Sequence, residues 1–195
     1  MSIRRVCVFA ASSDRCDASY LEAAARLGAA LAQSGIDIIY GAGARGLMGH
    51  LADAALAEGG TVIGVLPRFM ERQKWGHSGL TELCIVDDMH ARKQRMLKDT
   101  DAVVALPGGV GTLEELFEAI AWKQLGLFSG PIAMVNTNGF YDTCVELLGR
   151  CISGRFMNPV HGTMWIQVQS PEDVVQALEE APPWDPDPIR FAEAQ

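Results

Sequence analysis

Short apolar runs rich in β-branched residues alternate with longer amphipathic stretches along most of this chain. Each apolar run has the length of a strand that is buried on both faces, and each amphipathic stretch has the apolar spacing of a helix. Strands that alternate with helices form right-handed βαβ units, which place the strands parallel in one sheet. The pattern therefore predicts an α/β fold, a doubly wound parallel sheet with helices on both faces.

The boundaries of these elements follow from the apolar runs and from the glycine and proline residues between them. The predicted strands cover residues 6–10, 36–40, 61–67, 81–88, 101–107, 131–136 and 164–168. The predicted helices cover residues 18–33, 47–57, about 90–98, 113–127, 141–151 and 171–180, with an irregular loop over 68–79. Residues 1–180 are expected to form one domain, followed by a proline-rich, acidic and loosely ordered tail over 181–195.

Charge and cysteine content limit the partners of the chain. A net charge of −8, without a local Lys/Arg run, argues against nucleic acid as the main partner. The five cysteines form no CxxC pair, and the four histidines show no metal-binding spacing, so neither a metal nor a disulfide framework is expected. Without a signal peptide or an apolar run of about 20 residues, the sequence favours a cytosolic protein that is not inserted in a membrane.

Two glycine strings follow predicted strands, where α/β sheets bind ligands. The first, Gly41 to Gly46, matches GxGxxG, but the next strand ends at Pro67 without the acidic residue that a dinucleotide site needs. A nicotinamide cofactor is therefore disfavoured. A tight turn between strand and helix explains Gly46, whereas for the other glycines, including Gly43, a turn and a ligand contact are equally supported.

The second string, PGGVGT, is a stronger indication of an anion site. Gly108, Gly109 and Gly111 allow close backbone approach, and Thr112 is expected to open a helix whose dipole favours an anion. No lysine follows as in a P-loop, so a single phosphate fits better than a magnesium-bound triphosphate. The alternative is a loop with a purely structural role.

Glu115 has two interpretations that the sequence leaves open. Thr112 and Glu115 match the Thr-x-x-Glu capping box, in which Glu115 would only close the start of the helix. Alternatively, its carboxylate lies beside the phosphate and reaches the attached sugar. Glu114 is the adjacent candidate, about 100° around the helix.

A third cluster, DDMHARKQRM, carries cations at the start of a predicted helix. Asp88 is the expected N-cap, and Met89 and Met96 are expected on one core-facing stripe. Arg92 and Lys93 fall near the positive end of the helix dipole, and an anionic ligand would explain them. A solvated charged face is the alternative, and it is favoured for Arg95.

Taken together, these strings resemble the LONELY GUY family of cytokinin riboside 5′-monophosphate phosphoribohydrolases, long mislabelled as lysine decarboxylases. PGGVGTLEE matches the family's PGGxGTxxE and MHARKQRM matches its MHxRK. YGAGARGLMG, GVLP, HSGLTEL and AWKQLG also match, in order, between Val6 and Ile152. The resemblance implies a Rossmann-like fold that binds a nucleoside monophosphate, and a homodimer or an assembly of dimers with the helix after PGGxGT near the partner.

The resemblance also assigns roles to individual residues. It implies an acid–cation pair at the reacting ribose, Arg92 and Glu115, without a cofactor. The positions that match the substrate-binding stretches are Ser12, Gly43, Met89, Lys93, Gly108, Gly109, Val110, Gly111, Thr112 and Glu114. The chain departs from the family at Ala11 within the usual CGSS, at Ala42 within the usual GGG, and at Lys74, where many relatives carry a glutamate.

The function expected on these grounds is hydrolysis of the N-glycosidic bond of a nucleoside 5′-monophosphate, a cytokinin ribotide or AMP, to free base and ribose 5-phosphate. Two alternatives have different chemistry. A non-catalytic carrier of a nucleotide or of the molybdenum cofactor would share the glycine loops without needing the acid–cation pair. A lysine decarboxylase would normally need pyridoxal phosphate, and no Schiff-base lysine is recognisable.

Overall fold

The computed structural model describes residues 3–185 and 187–193, and it contains a seven-stranded sheet in which all neighbouring strands are parallel. The strand order is β4-β3-β2-β1-β5-β6-β7. The strands are β1 (Arg5–Phe9), β2 (Asp37–Tyr40), β3 (Val62–Pro67), β4 (Glu82–Val86), β5 (Ala102–Ala105), β6 (Ile132–Val135) and β7 (Trp165–Val168). The α/β prediction is confirmed.

Helices cover both faces of this sheet, as in a doubly wound fold. They are α1 (Ala18–Gln33), α2 (Gly46–Ala57), α3 (Arg68–Glu71), α4 (Met89–Leu97), α5 (Val110–Gln124), α6 (Asp142–Ser153), α7 (Val174–Glu180) and α8 (Arg190–Glu193). One apolar core lies between the sheet and α1, α2 and α7, and a second lies between the sheet and α4, α5 and α6. Alternate residues of β1, such as Cys7 and Val8, point into the two different cores.

Most predicted boundaries lie within one to three residues of the observed ones, but two differences are informative. Helix α5 begins at Val110, so it includes the second half of the glycine string, which the sequence predicts as a loop before the helix. The segment 68–79 contains the short helix α3 rather than being irregular throughout. The interpretation of Glu115 depends on the first of these differences.

The strand order fixes where a ligand can bind. β1 has β2 on one side and β5 on the other, so the connections that follow β1 and β5 leave the sheet at its topological switch point. In open parallel sheets the crevice at this point, beyond the carboxyl ends of the strands, is the usual ligand site. Both glycine strings and the start of α4 follow the carboxyl ends of strands, so all three motifs come to this edge.

The described part of the tail packs against α5 instead of being loose. The indole Nε1 of Trp184 donates to the carbonyl of Lys123 at 2.9 Å, and the Lys123 ammonium lies 5.6 Å from the centre of the Trp184 ring. Pro188 lies close to Gly126, just after α5: a Cβ added at Gly126 would be 3.1 Å from Cγ of Pro188. Among the described residues, no helix is long and apolar enough to cross a bilayer.

Candidate active site

The side chain of Arg92 connects three separate elements at the carboxyl edge of the sheet. Its Nε donates to the Val65 carbonyl at 3.2 Å, and its Nη2 donates to the Gly41 carbonyl at 3.3 Å. Its Nη1 donates to Oε1 of Glu115 at 3.1 Å. Only 8% of the surface of Arg92 is exposed, so the guanidinium is a buried cation with a fixed orientation.

These contacts explain why a cation occurs in the first turn of α4. The helix dipole opposes a positive charge there, but two backbone carbonyls and one carboxylate compensate for its burial. Asp88 caps the same turn as predicted, because its Oδ1 accepts from the Ala91 amide at 2.8 Å. Within the described part of the chain, three of the five guanidinium N–H groups are used by these contacts, so two remain for a ligand.

Gly41 provides the space that the guanidinium occupies. A Cβ atom added at Gly41 would lie 1.9 Å from Nη2 of Arg92. That separation is far below a van der Waals contact, so no other residue fits at this position without displacing Arg92. Gly41 therefore makes room for Arg92, a role that neither expectation included, whereas Gly46, with its positive φ, forms the expected tight turn.

Glu115 does not take part in a capping box. The N-cap of α5 is Gly109, without a side-chain cap, and Thr112 and Glu115 both lie inside the helix. The capping interpretation is therefore wrong, and its physical reason is that α5 starts three residues earlier than predicted. The Glu115 carboxylate points toward Arg92, and burial raises the pKa of Glu115 although the Arg92 charge opposes this rise.

The start of α5 forms an open cradle of backbone amides. Gly109 and Gly111 have nothing within 4 Å of an added Cβ, and 86% of the surface of Val110 is exposed. No side chain caps this helix end, so its amides are directed at solvent with the positive end of the dipole behind them. Gly108 packs tightly against Thr112, whose Oγ1 would lie 2.2 Å from an added Cβ. The geometry suits an anion such as a phosphate monoester.

A second cation lies beside the first. Nζ of Lys93 contacts Oε1 of Glu114 at short range and Oε2 of Glu118 at 3.3 Å. The hydrogen bond to Glu114 is the main reason why the pKa of Lys93 is raised, so this amine remains an ammonium. Thus α4 and α5 face each other through two adjacent ion pairs, Arg92 with Glu115 and Lys93 with Glu114.

The connection after β1 lies against the first glycine string. A Cβ at Gly46, whose φ is +59°, would lie 2.4 Å from the Ser13 carbonyl oxygen and 2.5 Å from the carbonyl carbon of Ser12. Ser12 itself is exposed at this edge. Ala42, in place of the family's glycine, adopts a φ of 62° that costs about 1–2 kcal/mol for a residue with a Cβ.

The segment 68–79 covers the same glycine string through main-chain contacts. The Ala44 amide donates to the Trp75 carbonyl at 3.1 Å, and the His77 amide donates to the Ala42 carbonyl at 2.9 Å. Gly43 and Gly76 form an isolated bridge, and Gly43 also accepts from the hydroxyl of Tyr40 at 3.2 Å. Lys74, the departure from the family, is exposed on this segment.

Met89 differs from its expected position. Met96 is buried in the core as predicted, but 37% of the surface of Met89 is exposed. Met89 is the first residue of α4, and the side chains that this helix buries are those of Arg92, Met96 and Leu97. The prediction of a core-facing stripe is therefore wrong for Met89 and correct for Met96.

Sequence reasoning missed the backbone groups that hold Arg92 and one side chain near the cradle. The carbonyls of Gly41 and Val65 carry no residue-specific signal, so only the structure reveals their use. The hydroxyl of Tyr141 donates to the Leu106 carbonyl at 2.8 Å, immediately before the PGGVGT string. Its only sequence signal is a tyrosine at the predicted start of a helix, too weak to identify it.

Comparison of the sequence with known proteins supports the family resemblance that these motifs indicate. A family model described as "Possible lysine decarboxylase" matches residues 48–178. A protein of Oryza sativa subsp. japonica named probable cytokinin riboside 5′-monophosphate phosphoribohydrolase LOGL9 is 40% identical over 180 residues, which are 92% of this chain and 79% of the relative. Cytokinin riboside 5′-monophosphate phosphoribohydrolase LOG3 of Arabidopsis thaliana is 39% identical over 181 residues, 92% and 84% of the two chains.

Comparison of the structure shows the same fold in proteins of a different kind. The molybdenum cofactor carrier protein of Chlamydomonas reinhardtii superposes with a TM-score of 0.70 and 18% sequence identity, over 92% of this chain and 98% of that one. At this identity the similarity establishes the fold alone.

Proposed function

This chain belongs to the LONELY GUY family of cytokinin riboside 5′-monophosphate phosphoribohydrolases, and from that membership we infer that it hydrolyses the N-glycosidic bond of a nucleoside 5′-monophosphate. The products are the free base and ribose 5-phosphate. Either a cytokinin ribotide or AMP fits this reaction. The observation that carries the proposal is the buried pair of Arg92 and Glu115 beside an open amide cradle.

Glu115 is the proposed catalytic carboxylate. In the reaction the C1′–N bond breaks, an oxygen of water bonds to C1′, and the departing base takes up a proton. The sugar passes through a state with oxocarbenium character, which a fixed carboxylate stabilises, and the same group can activate the water. Oε1 of Glu115 binds Arg92, so Oε2 is the oxygen proposed to face the sugar.

Arg92 is proposed to organise the reacting end of the substrate. A guanidinium does not give up its proton at neutral pH, so Arg92 stabilises negative charge by hydrogen bonding and does not protonate the base. Its two remaining N–H groups fit either the departing base or the sugar hydroxyls. Because Val65, Gly41 and Glu115 hold the guanidinium, its orientation is fixed before the substrate binds.

The 5′-phosphate is proposed to bind at the start of α5. The amides of Gly109, Val110, Gly111 and Thr112 and the helix dipole provide the attraction, supported by the exposed position of this turn. The Lys93 ammonium, one residue after Arg92 on α4, adds positive charge beside this turn. Ser12, Gly43, Met89, Gly108 and Glu114 complete the proposed substrate contacts.

Incubating the protein with AMP, and separately with an isoprenoid cytokinin ribotide, tests the proposal. Chromatography is expected to show equimolar free base and ribose 5-phosphate, with the corresponding unphosphorylated nucleoside much less reactive. A protein that binds these ribotides tightly but releases no base over many hours would instead be a carrier. That outcome would contradict the enzymatic assignment.

The description as a lysine decarboxylase is not favoured by the lysines near the site. A Schiff base with pyridoxal phosphate needs an uncharged amine, but Lys93 is held as an ammonium by Glu114 and Glu118. Lys123 lies at the opposite edge of the sheet, where its Nζ donates to the Gly130 carbonyl at 2.7 Å just before β6. Neither Lys93 nor Lys123 therefore fits the role of the Schiff-base lysine.

A homodimer formed through α5 and α6 is proposed from the apolar surface beside the site. A cavity of about 450 Å³ opens between these helices. Its wall includes Phe117, Phe140 and Leu147, which are 37%, 37% and 55% exposed. Light scattering is expected to give twice the monomer mass of 21.0 kDa, and Leu147→Glu is expected to shift it toward the monomer. A monomeric wild type would contradict this proposal.

The five cysteines support a reducing location. All five are free thiols in the structure, and Cys7 is fully buried in the core. Burial raises the pKa of Cys7 well above its usual value, and the Glu115 carboxylate adds to the rise. Because free thiols are typical of a reducing compartment, we propose that the protein works in the cytosol. Its proposed ligand is the small-molecule nucleoside monophosphate described above.

A further inference from the structure

The PGGVGT string begins directly after the carbonyl of Leu106, which lies beyond the pairing of β5 with β6. Leu106 is fully buried, and its amide donates to the Phe9 carbonyl at 2.9 Å. Its carbonyl lies one residue past the last paired position of β5, Ala105, which is in register with Met134. The next residue, Pro107, has no amide proton. The Leu106 carbonyl is thus the last fixed point before the amide cradle.

Tyr141 supplies the hydrogen bond that this carbonyl needs. Its hydroxyl donates to the Leu106 carbonyl at 2.8 Å, and its side chain is fully buried. Burial raises the pKa of Tyr141, so the phenol remains a donor over the physiological range. A buried carbonyl without a partner is costly, so this bond determines where the Leu106–Pro107 peptide lies.

Tyr141 is itself held in place from the end of β6. Its amide donates to Oδ1 of Asn136 at 2.7 Å, and Nδ2 of Asn136 donates to Oδ1 of Asp142 at 2.8 Å. Asn136 is 2% exposed, and its amide donates to the Val168 carbonyl at 2.8 Å. A continuous chain of hydrogen bonds therefore runs from the end of β6, through Tyr141, to the strand end that carries the cradle.

We propose that Tyr141 is a positioning residue for phosphate binding, because its hydroxyl fixes the Leu106 carbonyl from which the amide cradle begins. This inference rests on the proposed function and assigns a residue to the phosphate half of that site. It does not place Tyr141 in contact with the substrate. Without the hydroxyl, the amides of Gly109 to Thr112 lose their fixed orientation toward the anion.

The test compares Tyr141→Phe with the wild type in four quantities: kcat and KM for AMP, and the inhibition constants of ribose 5-phosphate and of adenine. KM for AMP and the inhibition constant of ribose 5-phosphate are expected to rise about tenfold, the effect of one lost buried hydrogen bond. The inhibition constant of adenine is expected to stay within about twofold, because the base does not use the cradle. A general structural role would instead weaken both products alike, and that result would overturn the proposal, as would unchanged constants.

Two further variants keep the test decisive. Tyr20→Phe removes a hydroxyl from the same aromatic cluster and is expected to change none of these constants. In this cluster the ring of Phe140 lies edge-on to Tyr20, with centroids 6.0 Å apart, and edge-on to Tyr141, with centroids 5.1 Å apart. Asp142 is exposed, and Asp142→Ala removes the hydrogen bond that it accepts from Asn136. This variant is expected to raise the inhibition constant of ribose 5-phosphate about threefold without changing that of adenine. If Tyr141→Phe did not fold, an Asp142→Ala protein with unchanged ribose 5-phosphate binding would overturn the proposal.

Failure of this proposal is distinguishable from failure of the proposed function. If the wild type released no base, calorimetry with ribose 5-phosphate and with inorganic phosphate would still compare the cradle in the wild type and in Tyr141→Phe. Binding that is lost in the variant supports the positioning role, and equal binding contradicts it. A wild type that bound neither probe would overturn both proposals.

Discussion

Replacing Glu115 by Gln separates its chemistry from its structural contact. The substitution removes one negative charge but keeps an oxygen that can accept from Nη1 of Arg92, now 3.1 Å from Oε1. The backbone carbonyls of Val65 and Gly41 still hold the other guanidinium nitrogens. We therefore expect the variant to fold and to lose its activity.

The expected magnitudes differ enough to be measured separately. Removing a partner of a buried ion pair entirely costs about 3–5 kcal/mol, but exchanging a charged for a neutral acceptor costs only about 1–2 kcal/mol. For a domain of about 150–250 residues, each kcal/mol lowers the melting temperature by about 2–4 °C. Loss of one fixed group that stabilises the transition state typically lowers kcat about 100- to 1,000-fold. Turnover should therefore fall by orders of magnitude while the melting temperature falls by a few degrees.

The assay measures base release from AMP at saturating substrate, together with thermal unfolding of the same samples. Glu118→Gln is the matched control, because it makes the same change one turn further along α5 at a carboxylate that contacts Lys93 rather than Arg92. Its turnover is expected to stay within about fivefold of the wild type, as for a partly exposed ion pair. A Glu115→Gln protein that retains more than a tenth of wild-type turnover would refute the catalytic assignment.

Three further predictions follow from the geometry and from the pKa shifts. Gly41→Ala places a Cβ 1.9 Å from Nη2 of Arg92 and should lower turnover at least tenfold by displacing the guanidinium. The control is Gly149→Ala on α6, where an added Cβ meets no atom within 4 Å and base release should stay unchanged. Because burial raises the pKa of Glu115 above 4.5, kcat/KM should fall on acidification at a pH above 4.5, and a profile that stays flat down to pH 4.5 would contradict Glu115 acting as a carboxylate. Burial lowers the pKa of Lys123 from 10.5 to about 8, so between these values this amine holds its proton in the unfolded chain but not in the folded one. The stability of the wild type relative to Lys123→Met, measured by urea denaturation, should therefore rise from pH 8 to 10.5, and a difference that stays constant would contradict this assignment.

Much of the fold could be predicted from the sequence because its periodicity is strong. The predicted helix over residues 18–33 coincides with α1, because an Ala/Leu-rich apolar pattern ends clearly at Ser34-Gly35; the structure adds an N-cap at Asp17. The start of α5 was not, because glycine, valine and glycine fit a loop and a helix equally well, and only tertiary packing selects the helix. Thr112 and Glu115 then looked like a capping box that the earlier helix start excludes.

The contact between Arg92 and Glu115 agrees with the pair that the resemblance implies, whereas the backbone around it could not be predicted. The anionic ligand expected from the cations at the start of α4 stays a prediction. What the sequence could not provide was the set of carbonyls that orient Arg92, because every residue carries a carbonyl. Hydrogen bonds from Tyr141 to Leu106 and from Tyr40 to Gly43 join positions whose proximity depends on the tertiary fold or on the course of a loop.

The attachment of the segment 68–79 to the first glycine string has a consequence for how this enzyme can diversify. The amide of Ala44 and the amide of His77 make the contact with carbonyls, and no side chain of Lys74 or Trp75 is needed for it. Residue 75 can therefore be exchanged while the segment keeps its course over the glycine string, whereas position 74, with a φ of 57°, favours residues that tolerate a left-handed backbone. A substitution at Trp75 changes the exposed surface beside the glycine string, while the main-chain contacts that attach the segment stay in place.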